Sequence, residues 1–375
     1  MAVTSKGTAA GLVDWRTVER LTALIPAGPS ASRSARASSV AVLRRSALEA
    51  PAWVARITGL NRAAQQVAET TRVSVVDRAG LVRASTRALR GLMEQVPAPQ
   101  ASEAVRLVGA AEMAGAMSLL ATRLLGQVVP AAGTGADGDG GRGGEASPHL
   151  LLVAPNVLAM RRQLDLDMLD LPAWVCLHEM THAVQLAAAP WLGPYLSDSM
   201  RMVIGAVVEA VYGGPGGGAD GTGEQGLRRR PGRAARIAAR AGRGRVLEGL
   251  TNFKERSEVA SLAAALTFLE GHAEVVLDDV HPNRMPSVHR LRAVLSRSRA
   301  ADAGIGPGPG LGSLLLHRLM GLEAKEAQYA DGTAFVRSVV ARIGHEGLNV
   351  VWTDPALLPT PAEIARPDVW VRRVG

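Results

Sequence analysis

Within one short apolar stretch the chain reads His178-Glu179-Met180-Thr181-His182. Residues four apart on a helix lie on one face about one turn apart, so both imidazoles can reach one ion while Glu179 stands beside them. Two neutral imidazoles beside a carboxylate suit a divalent cation that activates water, the carboxylate taking the proton. Leu171, Val175, His178, His182 and Ala189 trace one stripe of this helix. The histidines therefore stand where a core-facing helix carries apolar groups.

A catalytic zinc site takes three protein ligands and keeps a fourth position for water, so a third donor is needed. An extended motif with a histidine six residues further on is excluded, because Ala188 stands there and Gln185 replaces the glycine it would require. The donor must come from another helix. The stretch from Ser257, a candidate cap, to about Asp279 carries Val259, Leu262, Leu266, Ala273 and Leu277 along one face, with Glu270 in the middle of it. An isolated carboxylate on an apolar face costs several kcal/mol or takes up a proton, whereas a bound ion compensates it. His272 is the rival ligand, but it points roughly 200° away from Glu270, so a straight helix cannot offer both to one ion. Glu274, one turn on from Glu270, is placed to orient a ligating histidine through its free ring nitrogen. Zinc is preferred on ligand type, one ion held by His178, His182 and Glu270 with Glu179 as base.

The helix bearing the paired histidines is expected from Ala173 to about Ala188, with Asp170 or a neighbour as cap and Pro172 in its first turn. Ahead of it, His149 to Val153 reads as a short buried strand ended by Pro155, with Asn156 as a helix cap. An extended peptide could add beside Leu150 to Val153 as a further strand. Upstream, Trp15 to Gly59, Asn61 to Gln95 and Ala101 to Val129 carry helical spacing. With 375 residues, 47% apolar but only 3% aromatic, the core must be built from Ala, Val and Leu, which argues against a β-sandwich or aromatic barrel. The expected architecture is α+β and mainly helical, with a small sheet. Residues 1–130 form an N-terminal helical region and 131–147 a disordered Gly/Ala-rich insertion; residues 148–375 hold the metal motif and a disordered Gly/Arg-rich insertion at 213–245.

The formal charge of +8 invites a nucleic-acid reading. Its distribution does not support one. Eight arginines and no acid lie between Leu227 and Arg245, leaving the rest of the chain neutral. No aromatic residue is interleaved there to stack on bases, so the block reads as a solvated insertion and a nucleic-acid partner is not expected. Cys176 is the sole cysteine, which excludes an intrachain disulfide and fits a reducing compartment. Met1 to Trp15 shows no charged start followed by an apolar run, and no uninterrupted apolar stretch is long enough to span a bilayer. The expectation is a cytoplasmic protein without a membrane partner. The near absence of lysine beside abundant arginine and alanine looks like the coding bias of a GC-rich, actinobacterial genome.

The pair His178-Glu-Met-Thr-His182 and Glu270-Gly-His-Ala-Glu274 resembles the Glu-ligand zincin metallopeptidases. Together with Leu151-Leu-Val-Ala-Pro-Asn156 and Lys325-Glu-Ala-Gln-Tyr-Ala-Asp-Gly332, it is similar to an uncharacterised actinobacterial family of zinc-dependent, metalloprotease-like proteins associated with biosynthesis of the deazaflavin coenzyme F-420. The resemblance runs from Val13 to Val374, outside the two insertions. It implies a zincin-like core, zinc ligands at His178, His182 and Glu270, and Glu179 as general base. The leading reading of the residues is metal-assisted hydrolysis of a peptide bond in a peptide or protein substrate, with Tyr329, Tyr195 or His272 as candidate donors to the developing oxyanion. The competing reading is a non-proteolytic metal protein acting as accessory or scaffold in deazaflavin metabolism. A purely structural site, however, has no need of a free carboxylate beside its ligands.

Overall fold

The computed structural model describes residues 7–129, 148–212, 253–301 and 327–375. The expected insertions at 131–147 and 213–245 lie outside the described residues. In chain order the first half gives β1 (Gly7–Thr8), α1 (Trp15–Thr22), α2 (Arg33–Thr58), α3 (Asn61–Thr70), β2 (Arg72–Val76), α4 (Arg78–Glu94), β3 (Pro97–Ala98), α5 (Glu103–Arg123) and β4 (Gly126–Val129). There follow β5 (His149–Val153), α6 (Ala154–Gln163), α7 (Asp170–Ala188) and α8 (Leu192–Tyr212). Two further long helices matter for the site, the Glu270 helix (Phe253–Asp278) and a crossing helix (Ala327–Leu348) that kinks at Gly344. The protein is mostly helical with a small sheet, as its composition predicts.

Side-chain caps explain where the early helices begin. Ser32 accepts the Ala35 amide at the start of α2, Asp77 accepts that of Gly80 at α4, and Ser102 accepts that of Val105 at α5. Each satisfies an amide that a helix start leaves without an internal partner. Gly59 ends α2 with φ of +77°, a conformation that favours glycine.

The site rests on a three-stranded sheet in the order β2-β5-β4. β2 runs parallel to β5 with Arg72 opposite His149, and β4 runs antiparallel with Gly126 opposite Leu152. The expected strand is thus the central one. Leu150 and Leu152 face one apolar core with α2, α3 and α7, while Leu151 and Val153 face a second with α4 and α5. A strand buried on both faces explains its unbroken apolar run. It also corrects the expectation that a peptide adds beside Leu150 to Val153, because both edges of β5 are already paired.

Three local expectations shift as well. The N-cap of α7 is Leu169, the neighbour of Asp170, and the helix starts at Asp170 rather than Ala173. Asp167 accepts the Leu169 and Asp170 amides, while Asp170 accepts the Ser287 amide at 2.7 Å. Asn156 lies inside α6 rather than at its cap, and its amide donates to the carbonyls of Ala121 and Leu124. This fixes the point at which α5 gives way to β4. The Glu270 helix begins at Phe253, so Ser257 lies within it. On average hydropathy, α5 and Ser257–Asp278 are long and apolar enough to cross a membrane, but two thirds of the latter is buried inside the protein.

Candidate metal centre

α7 is enclosed by α2, α3, the sheet and the Glu270 helix, and it buries polar as well as apolar residues: His178, Glu179, Thr181 and Gln185 are all at most 2% exposed. A helix apolar nearly all round belongs inside, so each polar group on it must find a partner there. His178 and His182 present Nε2 to Nε2 at 3.2 Å, their rings nearly perpendicular. Glu270 arrives from the neighbouring helix with one carboxylate oxygen 3.5 Å from His178 Nε2 and the other 3.7 Å from His182 Nε2. One donor atom from each of the three lies within 4.8 Å of the others.

This donor set fits a tetrahedral ion. Two nitrogens bound at 2.0–2.1 Å with a tetrahedral angle stand roughly 3.3 Å apart, close to the separation found. Two imidazoles and one carboxylate also suit zinc chemically and leave a fourth position for water. His272 is not brought to this point: its Nδ1 is 2.9 Å from Gln185 Nε2. Of the two rival third donors, the fold aims Glu270 at the paired histidines.

Charge within the cluster is mutually supporting. Burial works to raise the Glu270 pKa, but the charge of His182 and hydrogen bonds from His178 and His182 overcome it and hold the carboxyl well below its ordinary range. Burial likewise opposes a charged His182, yet the Glu270 and Glu179 carboxylates and the Gln185 oxygen lift its pKa to about 9. Burial dominates at His272 and, with repulsion from His345 and His182, pushes its pKa down to about 3, leaving the ring neutral. Glu179 is raised by burial and by Glu270, and held back by His178, His182 and the Val128 amide. A raised carboxyl pKa moves Glu179 toward the range of a proton-transferring group.

Glu179 is placed by β4. The Val128 amide hydrogen-bonds its carboxylate, and Gly126 leaves the space it fills, since a Cβ there would lie 2.6 Å from Glu179 Cγ. β4 is an edge strand, so its outer side passes directly beside the proposed base. Glu274 comes within 3.8 Å of His178 Nδ1, too long for a direct hydrogen bond, whereas His182 Nδ1 and Gln185 Oε1 are 2.9 Å apart. The two histidines are therefore held unequally. Tyr195 packs its ring on Trp191 and hydrogen-bonds Ser199; the Tyr329 side chain lies outside the described residues. Sequence reasoning missed Gly126, Val128 and the bonds of Gln185. Only Gln185 left a trace, as the residue that breaks the longer histidine motif.

The chain matches the family model of zincin-like metallopeptidases over residues 13–371. A solved structure from Chloroflexus aurantiacus, described as a candidate hydrolase with a novel fold, is 21% identical over 96% of this chain and 98% of that one, with a TM-score of 0.57. That likeness is one of fold. No curated protein is a significant match.

Proposed function

The chain belongs to the zincin-like metallopeptidase family, and from that premise we propose that it is a zinc-dependent hydrolase of peptide bonds with His178, His182 and Glu270 as ligands and Glu179 as general base. The observation that carries this reading is the convergence of the three donors within 4.8 Å, with a buried carboxylate on the residue next to His178. A zinc ion held there supplies Lewis acidity and lowers the pKa of a bound water toward roughly 7.

The chain's own residues supply the rest. Glu179 accepts the proton of the attacking water on its carboxylate and passes it to the leaving amine, for which its raised pKa is suited. The Val128 amide and the space at Gly126 keep that carboxylate in one orientation. Apart from the Val128 amide engaged by Glu179, the side of β4 away from β5 has no paired strand among the described residues and offers backbone groups to an extended substrate next to Glu179, a mode that reads peptides by main-chain hydrogen bonds. This edge, rather than β5, is where the proposal puts the peptide or protein substrate. The motifs shared with the coenzyme F-420-associated family supply the proposed setting, an actinobacterial cytoplasm.

The test combines metal analysis with cleavage of a peptide library. Zinc should be present at one equivalent in wild type, lost in Glu270→Ala and retained in His272→Ala; the reverse result for the last two would reassign the third ligand. Glu179→Gln should keep zinc and lose cleavage by roughly 100-fold or more. A zinc-loaded wild type that cuts no peptide would favour the accessory role in deazaflavin metabolism instead.

A further inference from the structure

Gln185 is 1% exposed and uses both ends of its amide. Its nitrogen donates to the Leu269 carbonyl at 3.0 Å and lies 2.9 Å from His272 Nδ1, while its oxygen is 2.9 Å from His182 Nδ1. The orientation of such an amide follows from its partners. A backbone carbonyl only accepts, so the NH2 group must face Leu269 and the oxygen must face His182. An amide oxygen only accepts, so His182 must carry a proton on Nδ1. In the neutral ring, the form that ligates a metal ion, the lone pair is then left on Nε2, the atom that meets His178 and Glu270.

We infer that Gln185 is a positioning residue whose amide, oriented by the Leu269 carbonyl, holds the His182 ring in the Nδ1–H form with Nε2 turned to the ion. The inference rests on the metal reading proposed above and deepens it. A carbonyl on the Glu270 helix thereby sets the protonation pattern of a ligand on α7. Leu269 directly precedes Glu270, so the same amide joins the ring of one ligand to the turn of helix that presents another. His178, whose Nδ1 has no hydrogen-bond partner among the described residues and stands 3.8 Å from Glu274, receives no equivalent support. Outer partners of a ligating histidine fix its ring and tune its basicity, and their loss costs roughly 10- to 100-fold in metal affinity.

The experiment measures zinc affinity by chelator competition and the His182 Nδ1 proton by 15N-resolved NMR of the zinc-loaded protein. Wild type should show a slowly exchanging, hydrogen-bonded Nδ1 proton on His182. Gln185→Leu should lose it and bind zinc roughly 10- to 100-fold more weakly. Gln185→Glu, which keeps an acceptor toward His182 and in its protonated form still donates to the Leu269 carbonyl, should retain the proton signal and recover affinity to within about tenfold of wild type. A Gln185→Leu affinity within threefold of wild type, a Gln185→Glu variant as weak as Gln185→Leu, or a wild-type His182 without the Nδ1 proton would each overturn the inference. Should Gln185→Leu fail to fold, the wild-type spectrum and Gln185→Glu still decide. A wild type that takes up no zinc fails the metal reading and this inference together, whereas failure confined to the Gln185 comparison leaves the metal reading standing.

Discussion

Glu179 needs a place to put its carboxylate, and Gly126 provides it by having no side chain. A Cβ at position 126 would lie 2.6 Å from Glu179 Cγ and 3.0 Å from its Cδ, closer than carbon atoms approach without displacement. Gly126→Ala therefore swings the base away while leaving His178, His182 and Glu270 in place. We expect that variant to retain one zinc per chain and lose peptide hydrolysis by roughly 10- to 100-fold, chiefly in kcat, a fraction of what general base catalysis contributes. Loss of zinc in parallel with activity would show instead that position 126 supports the ligands. The convergence of His178, His182 and Glu270 was legible in the sequence because helical periodicity predicts which residues share a face and a buried carboxylate asks for a partner. Gly126 was not: its role exists only once β4 lies against α7, and a lone glycine in an apolar run carries no such mark.

At the scale of elements, the Glu270 helix and the crossing helix touch backbone to backbone. A Cβ on Gly271 would fall 2.3 Å from the carbonyl carbon of Gly332, and one on Gly332 would fall 2.2 Å from the Thr267 carbonyl oxygen. Gly271 lies between Glu270 and His272, so the crossing point is also the point that aims the proposed third ligand. Gly271→Ala should force the helices apart, costing about 1–3 kcal/mol as overpacking does, and weaken zinc binding with it. Gly91 in α4 has nothing within 4 Å of such a Cβ, and Gly91→Ala should be neutral or stabilising by about 0.5–1 kcal/mol. Denaturant melts and chelator competition on the two variants check both; equal effects would remove the crossing from the account. α7 and the Glu270 helix were legible within a few residues at their ends, whereas the crossing helix was not read from the sequence. β2 and β4 were not, for a strand of four or five residues without alternation cannot be told from helix by periodicity. β2 merged into the run from Asn61 to Gln95 and β4 into the tail of Ala101 to Val129. With both partners unseen, the edges of β5 looked open.

For the whole molecule, half of the few aromatic residues gather behind the Glu270 helix: Trp191, Tyr195, Phe268, Phe335, Trp352 and Trp370. Phe268 lies 5.5 Å from Trp352 and 6.1 Å from Phe335 between ring centroids, and Phe335 lies 5.8 Å from Trp370. Aromatic side chains bury the most area for the least conformational entropy, so this packing holds the helix in place independently of any ion. A zinc ion would then meet a site whose two helices already face each other, and its binding free energy would go into the folded state rather than into ordering a segment. Because the donors come from α7 and from the Glu270 helix, the unfolded chain offers no comparable site. A free zinc concentration near 1,000 times the dissociation constant should therefore stabilise the fold by about 4 kcal/mol, and thermal melts should move upward with zinc and back with a chelator. Glu179→Gln should show the full shift, since Glu179 is not among the ligands, whereas Glu270→Ala should lose most of it. If Glu179→Gln lost as much of the shift as Glu270→Ala, Glu179 would belong to the ligand set and the division between holding the ion and moving the proton would fall.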